Sequence, residues 1–322
     1  MGELTLRPNW TTAAGALEGV LAAEGLELPR HAVMGLTGHA WHLCLASEGG
    51  VTALPNGPHE LDWGAMVERY ARTGLAWERF GRRAQGEELA AAREEALGWA
   101  RERLDEGIPL IGFDLQVHEF AIVTGYDDER AGFHVESAVS GELGGFAPWS
   151  DWPSPALGII ELFAPTGPSD PDPELAVLGA LQTALELLSG EGGASEHPRG
   201  TAALEAWADA LDGTGEVDRA GNAYMLAVLQ AARMDGAAFL RDLAESVPPL
   251  AEPLGRAEQA VRDVTQALSP LLTLFPFPAG GHGNVANPGL REAAANALRR
   301  AAGHERRAAQ AIAEAFGLMG AV

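Results

Sequence analysis

The hydrophobic pattern of this chain changes period part-way along, and that change constrains the fold more than any other feature. Between residues 108 and 165 the apolar residues fall in short runs, "IPLIGFDL", "EFAIVTGYD", "GFHVESAV" and "LGIIELFAP", separated by turn residues. Short runs rich in Ile, Val and Phe predict strands, and "DDERAG" (127–132) makes a hairpin connection between the second and third. Upstream, "TTAAGALEGVLAAEG" (11–25), "LDWGAMVERYARTG" and "GEELAAAREEALGWARERLDEG" carry helical spacing and end at glycine. Then "PTGPSDPDPE" (165–174) places four prolines in ten residues. Beyond it nearly every segment bears an amphipathic helical stripe. The pattern predicts an α+β domain over 1–165 and an all-α domain over 166–322, whose helices are apolar enough to pack on the first.

Composition narrows the function classes. With 45 acidic against 22 basic residues the formal charge is −23, a field that repels phosphate backbones and argues against nucleic acid as a partner. The basic residues are all arginine. A 47% hydrophobic content suffices for sizeable cores. One cysteine, Cys44, permits no internal disulfide and no cysteine metal cage. The N-terminus "MGELTLRPNW" lacks a secretory pattern, and no apolar run approaches the roughly 20 residues of a membrane span. The expectation is a soluble cytoplasmic protein without cofactor or membrane partner.

A helix first, further helices, then a late antiparallel sheet with His118 at the head of a strand is the order of a papain-like cysteine-peptidase scaffold. The segments "RHAVMGLTGHAWHLCL" and "LDEGIPLIGFDLQVHEFAIVTGYDDE" resemble the N-terminal domain of the butirosin-biosynthesis protein H family, related to C39-type peptidases. "MDGAAFLRDLAE" resembles that family's helical companion domain. The resemblance implies a papain-like (C39-type) N-terminal domain with an antiparallel sheet, and acyl-transfer or amide-cleaving chemistry by a cysteine nucleophile. In that chemistry a helix dipole and a nearby imidazolium favour the thiolate. It also implies His118 as the base and Glu136, in "HVES", as the carboxylate that orients it. The nucleophile belongs at the start of the 11–25 helix, where this chain reads Asn9-Trp10-Thr11-Thr12. No cysteine is there, and Cys44 lies elsewhere.

Three functional readings follow. In the first, the site is degenerate and the scaffold binds a small molecule or peptide or does nothing. In the second, Thr11 or Thr12 is the nucleophile of an acyltransferase or amide hydrolase with His118 and Glu136, although a hydroxyl needs a well-placed base and oxyanion donors. In the third, the helical half builds an oligomeric scaffold, with a homodimer as the simplest form.

Candidate ligand contacts are Trp10, Trp41, His39, Trp149, His282 and Asn284. His39 and His42, three apart, could share a helix face as metal ligands, but only Glu48 stands near to complete a set, so they read as polar positions in a packed segment and no metal is expected. "PAGGHGNVANPG" (278–289) reads as an interhelix connection and, as a lid, would offer His282 and Asn284. Trp149 and Trp152 stand among prolines, either as an aromatic wall or, preferably, as the seal between the two halves. "RRAAGHERRAAQ" (299–310) is the one basic cluster, and its helical spacing predicts a solvated or internally paired face.

Overall fold

The computed structural model describes residues 4–45, 61–190, 197–281 and 283–319. Two compact units emerge: residues 1–33 with 62–171, and residues 34–61 with 172–322.

The first unit is built on a six-stranded sheet. Its strands are β1 (Leu75–Arg83), β2 (Leu110–Phe113), β3 (Phe120–Asp127), β4 (Gly132–Glu136), β5 (Phe146–Pro148) and β6 (Ile159–Pro168). Their order is β1-β6-β2-β3-β4-β5, and every neighbouring pair is antiparallel. β2 and most of β6 are buried on both faces, as their unbroken apolar runs require. Helices α1 (Thr12–Ala23), α3 (Trp63–Tyr70), α4 (Gly86–Asp105) and the single turn α5 (Ser140–Leu143) belong to this unit. The boundary to the second unit falls within α2 (Arg30–Thr37).

The sheet faces carry different cores. On one, Phe120 and Phe163 stack with ring centroids 5.7 Å apart, and Trp63 and Tyr70 of α3 close over them. Burial pushes the Tyr70 phenol far above its ordinary pKa. Glu161 shares that face, gripped by both Nε and Nη2 of Arg79 from β1 at 2.8 and 2.6 Å. Burial still holds its carboxyl above the usual range, against the pull of the guanidinium. On the other face Leu89, Ala96 and Leu97 of α4 pack with Leu110, Val123, Phe133 and Leu162. α1 is apolar all round and accordingly buried along nearly its whole length. Its glycines admit close neighbours: a Cβ at Gly15 would meet the Arg7 carbonyl oxygen at 2.3 Å, and one at Gly19 the Thr5 carbonyl oxygen at 2.3 Å.

The second unit contains α6 (Pro173–Ser189), α7 (Gly200–Asp212), α8 (Arg219–Ser246), α9 (Ala251–Leu274) and α10 (Pro288–Met319). Chain chemistry sets its helix starts. Asp172 and Asp218 cap α6 and α8 by accepting backbone N–H groups of the first turn, and proline opens α6 and α10. The core joins Leu204 and Trp207 of α7, Leu226 and Leu229 of α8, Leu268 of α9 and Leu298 of α10. The basic cluster on α10 is paired internally: Arg299 with Asp209 and Asp212, Arg306 with Glu205, and His304 and Arg307 with Asp263.

Residues 34–45 belong to this helical unit, whereas the sequence pattern assigned them to the first half. The physical reason is their side chains and backbone: Leu43 and Leu45 are core residues there. Cys44 bridges antiparallel to Arg199, Gly200 N–H donates to Leu43 O and Leu45 N–H to Pro198 O. Trp149 and Trp152 also differ from expectation. They form no open wall and lie within the sheet core of the first unit, each edge-on to Phe133.

Candidate functional site

β2 and β3 pair through Phe113 and Phe120, so residues 114–119, "DLQVHE", form the loop between them. His118 therefore sits in this loop, two residues before β3. The loop is held at both ends. Asp114 takes a left-handed backbone conformation, φ 65°, which aspartate tolerates better than most residues. Its N–H donates to Glu119 O at 3.1 Å, and Glu119 N–H to Val117 O at 2.6 Å. The Trp152 indole donates to Phe113 O at 2.9 Å.

The Asp114 side chain is 4% exposed and both of its oxygens are engaged. Oδ2 accepts the Ser154 N–H at 2.7 Å, and Oδ1 lies 2.6 Å from His118 Nδ1. Because a carboxylate accepts, this contact places a proton on Nδ1 and leaves Nε2 as the reactive nitrogen. The imidazole itself is 59% exposed. A buried, fully satisfied carboxylate thus fixes the ring of a solvent-facing histidine. The carboxylate expected in that role, Glu136, instead lies on β4 opposite Ile122. The sequence carried a signal for Asp114, a carboxylate four residues before the histidine at the end of a strand-like run. The family pattern drew attention to the far side of the histidine.

Gln116 anchors the middle of the loop. Its Nε2 donates to Gly144 O at 2.6 Å and Phe146 O at 3.2 Å, and its Oε1 accepts from Ser137 Oγ at 2.5 Å. Through these bonds the turn before β5 is tied to the histidine loop. Between them opens a cavity of about 440 Å³. His118, Asp114, Gln116, Asp151 and Ser154 supply its polar lining, and Leu115, Val117, Leu143, Phe146 and Pro148 its apolar lining.

The threonines at the start of α1 are otherwise employed. Thr12 Oγ1 donates its single proton to Glu119 Oε2 at 2.5 Å and accepts the Phe120 N–H at 3.0 Å. The first helix thus begins beside the residues that follow His118, yet the hydroxyl is bonded to Glu119 rather than to the histidine. Thr11 caps α1 through its carbonyl, which accepts from Gly15 N–H, while its own N–H goes to Asn9 Oδ1. Trp10 is 41% exposed.

Among the described residues, the remaining expected contacts fall outside the cavity lining. Trp41 and His39 are buried in the helical unit, with Trp41 against Gly236. Trp149 is in the sheet core. Asn284 donates from Nδ2 to Leu274 O at 2.7 Å, a bond that shapes its own loop. His282 and Glu48 lie outside the described residues. Cys44 is buried in the helical unit, whereas every residue lining the His118 cavity belongs to the first unit. Among the described residues no cluster of His, Cys, Asp or Glu has the arrangement of a metal site, and no helix is long and apolar enough to cross a membrane.

Comparison with models of known families and with characterised proteins gave no match for this chain.

Proposed function

We propose that this chain is a papain-like protein of the butirosin-H type whose His118 cavity binds a small molecule or peptide without forming a covalent acyl-enzyme. One observation carries the reading. Where the resemblance calls for a nucleophile, Thr12 spends its proton on Glu119 and its lone pair on the Phe120 N–H, while His118 remains oriented and exposed at the cavity. A hydroxyl acting as nucleophile needs its proton within reach of the base, and here that proton is directed to a different residue. The one cysteine is buried in the other unit. The reading places the protein in the cytoplasm, where a lone buried thiol such as Cys44 stays reduced.

The cavity supplies what a modest ligand requires: an apolar wall of Leu115, Val117 and Phe146, with a few polar groups to fix orientation. Leu143 stands on its rim at 60% exposure, so a change there disturbs no core. The test is a thermal-shift screen of small molecules and dipeptides on the wild type and on Leu143→Arg, with intact-mass analysis of every hit. Binding to the native state raises the melting temperature. Hits are expected to stabilise the wild type, to lose that effect in Leu143→Arg and to leave the mass unchanged. Equal stabilisation of both proteins, or a covalent adduct, defeats the proposal.

A further inference from the structure

Taking that cavity as a binding site, we infer that His118 is a general base within it, positioned by Asp114, and that it activates water for the hydrolysis of short apolar carboxylic esters. This activity requires no nucleophile from the protein.

The dyad has features a decorative surface histidine does not need. Burying a carboxylate is expensive unless every oxygen is satisfied. Asp114 is nevertheless buried, in a left-handed backbone conformation, with one oxygen on the Ser154 N–H and the other on His118 Nδ1. The loop that carries the pair is braced independently by Gln116 and by the Trp152 indole. The imidazole therefore presents Nε2 in a fixed direction from a fixed tautomer, which is the requirement for a base and is more than a solvated side chain requires.

The chemistry closes with water alone. Nε2 takes a proton from a bound water as the water oxygen bonds to the ester carbonyl carbon and the C=O π pair moves onto the carbonyl oxygen, from which it returns when the leaving group departs. The imidazolium so formed is stabilised by the Asp114 carboxylate. As the bond from the carbonyl carbon to the leaving oxygen breaks, Nε2–H returns the proton to the departing alkoxide. Ester and water become acid and alcohol, and His118 is restored. The substrate class follows from the lining. Leu115, Val117, Leu143 and Phe146 accept a short apolar acyl chain. The Gln116 amide, already donating to Gly144 and Phe146 carbonyls, is not offered to an oxyanion, so the site suits good leaving groups better than amides.

The experiment measures hydrolysis of 4-nitrophenyl butyrate by the full chain. Saturable turnover above buffer is expected. In His118→Gln, an exposed position whose amide can still donate to Asp114, kcat should fall on the order of 100-fold, with KM within about twofold. Asp114→Asn should lower kcat on the order of 10-fold or more with a smaller change in KM, a split that mere loosening of the loop does not produce. His197→Gln, in the helical unit, should behave as wild type. Absence of saturable turnover, or a wild-type kcat in His118→Gln, overturns the inference. Butyranilide separates this failure from that of the binding proposal. If it raises the melting temperature of wild type and His118→Gln but not of Leu143→Arg, the cavity binds whatever the dyad does.

Discussion

Arg233 and Glu305 show what single residues contribute in the helical unit. Their side chains are 0% and 1% exposed, and Arg233 Nε reaches Glu305 Oε1 at 2.5 Å while Nη1 donates to Ala40 O at 2.6 Å. Arg233 Nη2 and Glu305 Oε2 are left without a hydrogen-bond partner. A charge left behind in such a place is costly, because neither water nor its partner solvates it. Glu305→Ala should therefore destabilise the protein by about 3–5 kcal/mol in denaturant unfolding. Replacing both residues, Arg233→Met with Glu305→Leu, should recover part of that loss and leave a residual of about 1–3 kcal/mol for the Ala40 carbonyl that loses its donor. A double variant as unstable as the single one would contradict this account. Glu305 was legible only as one acid within a basic helical segment. That it faces inward and its arginine neighbours outward depends on the phase of α10, which an alanine-rich helix states weakly.

Thr12 acts at the scale of elements. Its hydroxyl joins the start of α1 to the start of β3 by two hydrogen bonds, one of them to a buried backbone N–H. Thr12→Val keeps the shape and removes both bonds, leaving the Phe120 N–H unpaired, at a cost of about 1–3 kcal/mol. Thr12→Ser keeps both bonds and loses one buried methyl, so it should cost only about 0.8 kcal/mol. Unfolding midpoints of the two variants check the claim, and equal midpoints would remove the threonine from the architecture. The strongly periodic elements were readable in advance: α1, α4, β3 and β6 fall where their apolar spacing puts them. β1 was not readable, because it is an edge strand whose "LAWERFGRR" carries four charged residues. Charges on an edge strand prevent unwanted pairing, and the same charges hide the strand from a search for apolar alternation. The dyad was half legible for a similar reason. His118 stood out beside a strand, but its carboxylate partner is selected by the geometry of a six-residue loop rather than by a period.

At the scale of the molecule, the sequence pattern located a real change of architecture at the proline-rich segment but implied that each half is continuous. The helical unit is not continuous, since residues 34–45 belong to it. Twelve residues, 34–45, contribute Leu43 and Leu45 to its core, Trp41 against Gly236 and the Ala40 carbonyl that receives Arg233. Removing one buried leucine from such a core costs about 2–5 kcal/mol, and a domain's whole stability is about 5–15 kcal/mol. Residues 166–322 produced alone, cut where the composition changes, lose both leucines, a tryptophan and a ligand of the buried arginine together. That fragment should melt without a cooperative transition and bind a hydrophobic dye, as a loosely packed helical state does. Restoring residues 34–45 ahead of residue 172 through a flexible linker should return a sharp transition. A cooperative melt from the bare fragment would show instead that the segment is a passenger on a core complete without it.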